Sequence, residues 1–183
     1  MRVRKRVLGG TQVLIVSTSL LWTGLGWGAP KGKGEDRMLR AKPYEACLTQ
    51  AAVEYRLPSP LLTAIVHVEN GYWNPLAISI NRNGKGIAQS VKSNQEAREL
   101  VTRLWNQNIN FDVGLGQVNT VNMERFRVHP VTLLDPCINL SYSARILRES
   151  IDRYGYNWTA IERYNGINPF YPWKVKQMLD LMR

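Results

Sequence analysis

Ser59-Pro60-Leu61-Leu62-Thr63-Ala64-Ile65-Val66-His67-Val68-Glu69-Asn70 reads as one short helix that ends on an acid. Ser59 is a candidate N-cap, and Pro60 takes the first helical position, where its missing N–H costs nothing. Leu61, Ile65 and Glu69 recur at i, i+4 and i+8, and Leu62, Val66 and Glu69 at i, i+4 and i+7. The carboxylate therefore continues the stripe that packs inward. Burial disfavours the charged form of a carboxyl and raises its pKa. A group so placed holds a proton near neutral pH and can deliver it, which is what a general acid needs. The plainer alternative is a helix-terminal Glu turned to solvent or paired with an arginine. His67 falls on a different helix face from Glu69.

The flanking sequence is helical on both sides. Pro43 opens a segment with apolar residues at Tyr44, Cys47, Leu48, Ala51, Ala52 and Tyr55, a helical spacing that Leu57-Pro58 ends. After Glu69, Asn70-Gly71-Tyr72-Trp73-Asn74-Pro75 breaks the helix, with Gly71 suited to a left-handed cap. Leu76 to Ile80 and Gly86-Ile87-Ala88 flank Asn83-Gly84, the signal of a small β-hairpin. Ser93 and Glu96 have capping-box spacing and start a helix through Leu100, Val101, Leu104 and Trp105. Residues 108–118 read as irregular or extended, and Asn119 then caps a short helix to Phe126. Asp135-Pro136 opens a long helix along Cys137, Leu140, Ala144, Leu147, Ile151 and Tyr154, which Gly155 stops. Asn157 begins another short helix, ended by Asn165-Gly166, and a last one runs from about Phe170 to Leu181. The fold expected is a small, mostly α domain with a minor β-hairpin.

The first 28 residues differ from the rest. Arg2, Arg4, Lys5 and Arg6 form a basic head, no charge then appears until Lys31, and Gly26-Trp27-Gly28 supplies small residues for cleavage before Ala29. This is the pattern of a secretory signal, with an uncleaved membrane anchor as the alternative. The chain divides into a signal at 1–28, a basic flexible leader at 29–42 and a domain at 43–183. Of the net charge of +10, four charges lie in the signal, three in the leader and three in the domain, so most of the excess is outside the fold. That distribution argues against nucleic acid and suits an anionic polymer outside the cytoplasm, such as bacterial cell wall. Export makes a Cys47–Cys137 disulfide reasonable, with two buried free thiols as the alternative. No Cys/His cluster has metal spacing, so neither a metal nor a cofactor is expected.

Three segments carry chemistry together. Glu69 is followed by Tyr72-Trp73, aromatics able to stack on sugar faces. Asp112-Val113-Gly114-Leu115-Gly116-Gln117-Val118-Asn119 has two glycines that let backbone approach a ligand, beside the amides of Gln117 and Asn119. Arg163-Tyr164-Asn165-Gly166 puts a phenol and an amide at a helix end. Each is a common turn or helix stop alone; their order is far more specific.

In that order the chain resembles the lysozyme-like lytic transglycosylases, specifically the small exported kind that accompanies type IV secretion, conjugation and related pilus systems. The family's motifs look like Leu61-Leu62-Thr63-Ala64-Ile65 with Glu69, then Gly114-Leu115-Gly116-Gln117, then Asp135-Pro136-Cys137-Ile138-Asn139-Leu140, then Tyr164-Asn165. The resemblance covers residues 44–180. Asn70 stands where the family often has Ser, and Gly116 replaces the usual Met, which removes a side chain from the expected cleft wall. The resemblance implies an α+β lysozyme-like fold and a periplasmic enzyme acting on peptidoglycan glycan strands. It implies cleavage between N-acetylmuramic acid and N-acetylglucosamine to 1,6-anhydro ends, opening the wall for a secretion or conjugation apparatus. Glu69 is the implied catalytic residue, Tyr164 sits near it and orients it or the substrate, and Gln117 and Asn165 hold acetamido and hydroxyl groups. Asn70, Gly114 and Asn119 complete the expected substrate contacts. Two rival functions stay open: a muramidase-type hydrolase using Asp112 as second carboxylate, and a weakly active glycan-binding scaffold.

Overall fold

The computed structural model describes residues 41–166 and 168–182. The expected signal, 1–28, and all but the last two residues of the leader, 29–42, lie outside the described residues. The elements run α1 (Glu45–Glu54), α2 (Ser59–Glu69), β1 (Ile78–Arg82), β2 (Lys85–Ala88), α3 (Asn94–Asn106), β3 (Phe111–Val113), β4 (Val118–Asn119), α4 (Thr120–Phe126), α5 (Pro136–Tyr154), α6 (Trp158–Tyr164) and α7 (Tyr171–Leu181). The domain is mostly α with a minor antiparallel sheet, the class its residue pattern implies.

Side-chain caps start four of these helices. Ser93 Oγ accepts from the Glu96 N–H at 3.1 Å, while the Glu96 carboxylate accepts from the Lys92 N–H at 2.7 Å. Asn119, Asp135 and Asn157 accept from Val121, Ile138 and Ala160 at 3.0, 3.0 and 3.2 Å. Each bond satisfies a donor that the first turn leaves without a helical partner. Ser59 is different. The N-cap of α2 is Pro58, extended at ψ 123°, and its carbonyl accepts from Leu61 and Leu62, so Ser59 is already helical.

Asn83 and Gly84 have φ of 51° and 74°, the left-handed pair that matches a two-residue hairpin to the twist of its strands. The sheet order is β2-β1-β3-β4, with Arg82 opposite Lys85, and Ile78 opposite Val113. Residues 108–118 thus hold more order than their sequence suggests, because β3 and part of β4 lie there. Three residues of β3 and two of β4 are too short to display an alternating pattern; β3 is ordered by pairing with β1, and β4 by pairing with β3.

Two apolar cores flank the cleft. One joins α1, α2, α5, α6 and α7 through Leu48, Leu62, Ile65, Leu147 and Val175. The other underlies the sheet and α3 through Ile78, Val101, Phe111, Met123 and Leu133. Each of these side chains contributes on the order of 1.5–3 kcal/mol by leaving water. Tyr164 packs against both cores. The Cys47–Cys137 disulfide is formed, with Cα atoms 5.0 Å apart, and ties α1 to the start of α5 across 90 residues of sequence. Closing so long a loop is worth about 4–5 kcal/mol in the chain-entropy model. Among the described residues no helix is long and apolar enough to cross a membrane, and no group of three His, Cys, Asp or Glu side chains is placed to hold a metal ion.

Candidate active site

Glu69 is the last residue of α2, half-buried beside the start of α7. Asn165, just past the end of α6, donates its amide to Glu69 Oε1 at 3.1 Å. The Tyr171 hydroxyl faces the same carboxylate from α7, close enough to bias it although outside ideal hydrogen-bond geometry. Burial pushes the Glu69 carboxyl up to about 7. Tyr171, Asn165 and the Lys174 ammonium pull the other way, and the charge of Asp112 adds to the upward push. Desolvation thus outweighs every stabilising contact. Glu69 neither turns freely to solvent nor pairs with an arginine among the described residues.

Asp112 comes from β3 in the sheet-side half of the same cleft. Asn119 Nδ2 donates to its Oδ1 at 2.7 Å, and Asn81 Nδ2 to its Oδ2 at 2.8 Å. Burial raises the Asp112 pKa, and these two amides oppose the rise by favouring the anion. The clamp is built from side chains of β1 and β4.

The cleft floor is the turn from Gly114 to Gln117. Asn139 of α5, fully buried, holds it with three bonds: its Nδ2 donates to Val113 O at 2.9 Å and Leu133 O at 3.0 Å, and its Oδ1 accepts from the Gly116 N–H at 2.8 Å. Gly114 has φ +83°, and a Cβ there would run into the Asn139 amide, so the turn demands glycine on both counts. A side chain on Gly116 would collide with Ser143, its Cβ only 2.7 Å from that of Ser143 and 3.1 Å from Tyr164 Oη. The departure from Met at this position is therefore matched from α5 and α6: Ser143 and Tyr164 occupy the space, and Tyr164 Oη donates to Gly116 O at 3.0 Å. Gln117 carries φ 46°. Its Nε2 donates to Gly114 O at 2.8 Å, which leaves its Oε1 without an internal partner among the described residues. A left-handed non-glycine residue in a cleft is strain of the kind that binding sites retain.

Glu69, Gln117, Asn119, Tyr164 and Asn165 all line one cleft of about 550 Å³, together with Asp112. Asn70 and Gly114 do not. Asn70 is buried beneath it, donating to Asn74 O at 2.7 Å and Gly114 O at 3.3 Å and accepting from the Asn74 N–H at 3.2 Å, so its amide is committed to the loop. Asn119 reaches the cleft, but its amide is committed to Asp112 and to the α4 cap. Tyr72 and Trp73 part company: Tyr72 is exposed, while Trp73 is buried, stacks on Tyr44 and donates Nε1 to His67 Nδ1 at 3.0 Å.

The phenol that faces the acid is Tyr171, and Tyr164 holds the floor; Asn165 bonds the acid itself. Tyr171, Val175 and Met178 mark the buried face of α7 at helical spacing, a visible sign that Tyr171 points inward. Only the packing of α7 on α2 aims it at Glu69. Asn139 was likewise visible as a polar residue on the apolar face of α5, without its partners being legible.

A carboxyl protonated near pH 7 at the wall of a polar cleft can donate to a leaving oxygen and take a proton back afterwards. The family model described as transglycosylase SLT domain matches residues 46–174. Protein IpgF of Shigella flexneri is 28% identical over 128 residues, covering 67% of each chain. Invasion protein IagB of Salmonella typhimurium is 30% identical over 128 residues, 67% of this chain and 64% of the relative. Type IV secretion system protein virB1 of Brucella abortus is 35% identical over 95 residues, 50% of this chain and 37% of the relative. No solved structure matches the chain significantly. With the model match covering every residue that lines the cleft, the chain belongs to the transglycosylase SLT domain family and is a peptidoglycan lytic transglycosylase.

Proposed function

We propose that Glu69 is the general acid and base that cleaves the β-1,4 bond between N-acetylmuramic acid and N-acetylglucosamine, leaving a 1,6-anhydro muramic end. The observation that carries this is one carboxyl raised to about 7, held by Asn165 and faced by Tyr171 in a polar cleft. Glu69 gives its proton to the glycosidic oxygen as that C–O bond breaks. Positive charge gathers on the anomeric carbon, where the acetamido oxygen of the same sugar shares it. The Glu69 carboxylate then takes the proton of the sugar's own 6-hydroxyl, whose oxygen closes on the anomeric carbon. The Glu69 proton is restored and no external nucleophile enters.

Within this mechanism Asn165 and Tyr171 position the acid, Gln117 offers its free Oε1 to the substrate, and Tyr164, Gly114 and Asn70 hold the floor beneath it. The muramidase alternative rests on Asp112 sharing the cleft with Glu69. Its two oxygens are each bonded to an amide, which favours a fixed electrostatic group over an attacking nucleophile. The names of the relatives, an invasion protein and a type IV secretion system protein, support a periplasmic role in opening the wall locally for such an apparatus. Glu69→Gln keeps the shape and removes the proton. It is expected to lower release of soluble fragments from purified peptidoglycan at least 1,000-fold, on the order expected for loss of acid–base catalysis, while co-sedimentation with the wall persists. Turnover retained by Glu69→Gln would reject the assignment.

A further inference from the structure

Most residues lining the cleft are amides and glycines; two carboxyls join them, and among the described residues the lining holds a single cation, Arg163. Arg163 lies in the last turn of α6, exposed, immediately before Tyr164 and two residues before the Asn165 that bonds Glu69. Three arginines of α4 and α5 are paired locally, Arg125 and Arg145 with Glu149 and Arg148 with Asp152. Arg163 makes no ion pair among the described residues. Its one recorded side-chain contact is with the Tyr154 ring at 5.7 Å, and Arg153 already lies over that ring at 5.3 Å. A cation in a helix's last turn also favours the helix dipole, which any basic residue would do.

A neutral glycan gives an arginine at this rim nothing to pair with. Peptidoglycan strands do, because the stem peptides on their muramic sugars carry free carboxylates. A planar guanidinium binds a carboxylate through two parallel N–H···O bonds, which a lysine cannot reproduce. We propose that Arg163 is a specificity-determining residue that engages a stem-peptide carboxylate and makes the enzyme prefer strands whose stems carry free carboxylates to strands whose stems are neutral. This inference rests on the peptidoglycan function above and assigns no part in bond cleavage to Arg163.

The test compares kcat/KM on two substrates, intact peptidoglycan strands and the same strands with their stem carboxylates converted to carboxamides, for the native chain, Arg163→Gln and Arg163→Lys. The native enzyme is expected to favour the strands with free stem carboxylates about tenfold, the typical scale for a charge-assisted pair. Arg163→Gln is expected to abolish most of that preference through KM, with Arg163→Lys between the two. A uniform loss on both substrates, or a preference that Arg163→Gln leaves intact, would overturn the inference while leaving the reaction assignment standing. A native chain that cleaves neither strand would overturn the peptidoglycan function, and this inference with it.

Discussion

At the scale of the residue, Glu69 is held in a state that favours the acid–base role proposed for it and disfavours the fold. A carboxyl with a pKa of about 7 must be protonated in the free enzyme to act as acid. The rate kcat/KM is therefore expected to be flat below that value and to fall about tenfold per pH unit above it. A limb near pH 4 to 5, the ordinary carboxylate range, would contradict the desolvated environment. The same shift has a stability consequence. Because the native pKa lies above the unfolded one, the native chain binds more protons between them, and its stability is complete below the unfolded value and declines as pH rises through about 7. Glu69→Gln is thus expected to be more stable than the native chain at pH 8, by up to about 3 kcal/mol, and to lose that advantage near pH 4. Denaturant titrations at the two pH values measure it.

At the scale of the element, the cleft floor depends on one buried amide of α5. Asn139→Ala leaves the Gly116 N–H and the Val113 and Leu133 carbonyls without that partner, and opens a small cavity. A loss of about 3 kcal/mol is expected from urea midpoints, with turnover falling as the Gly114–Gln117 turn loosens. The helices themselves were legible because their signals are local: Ser93, Asn119, Asp135 and Asn157 each cap within three residues of their own position. Ser59 misled by one residue because a proline on each side leaves it as the nearest side chain able to cap, while the backbone carbonyl of Pro58 does the capping. Strands β3 and β4 were legible only as an irregular or extended stretch, since β3 takes its register from β1, about thirty residues earlier, and β4 takes its own from β3.

At the scale of the whole molecule, the two cores bring together an acid from a helix end, a clamped carboxylate from the sheet and an amide from a later helix end. The motif residues Glu69, Gln117, Tyr164 and Asn165, separated along the sequence, converge on one cleft. What the sequence could not convey was the division of labour, because which phenol faces the acid follows from how α7 packs on α2 and how α6 meets both cores. That division bears on the reaction: with Asp112 clamped, the oxygen that closes on the anomeric carbon must come from the sugar or from water. Digestion of peptidoglycan in oxygen-18 water, followed by mass spectrometry of the products, separates these directly. Anhydro-muramic ends that carry no solvent oxygen are the predicted result; reducing ends that carry one oxygen-18 atom at the anomeric carbon would contradict the account and make Asp112 the partner of Glu69 in a hydrolase.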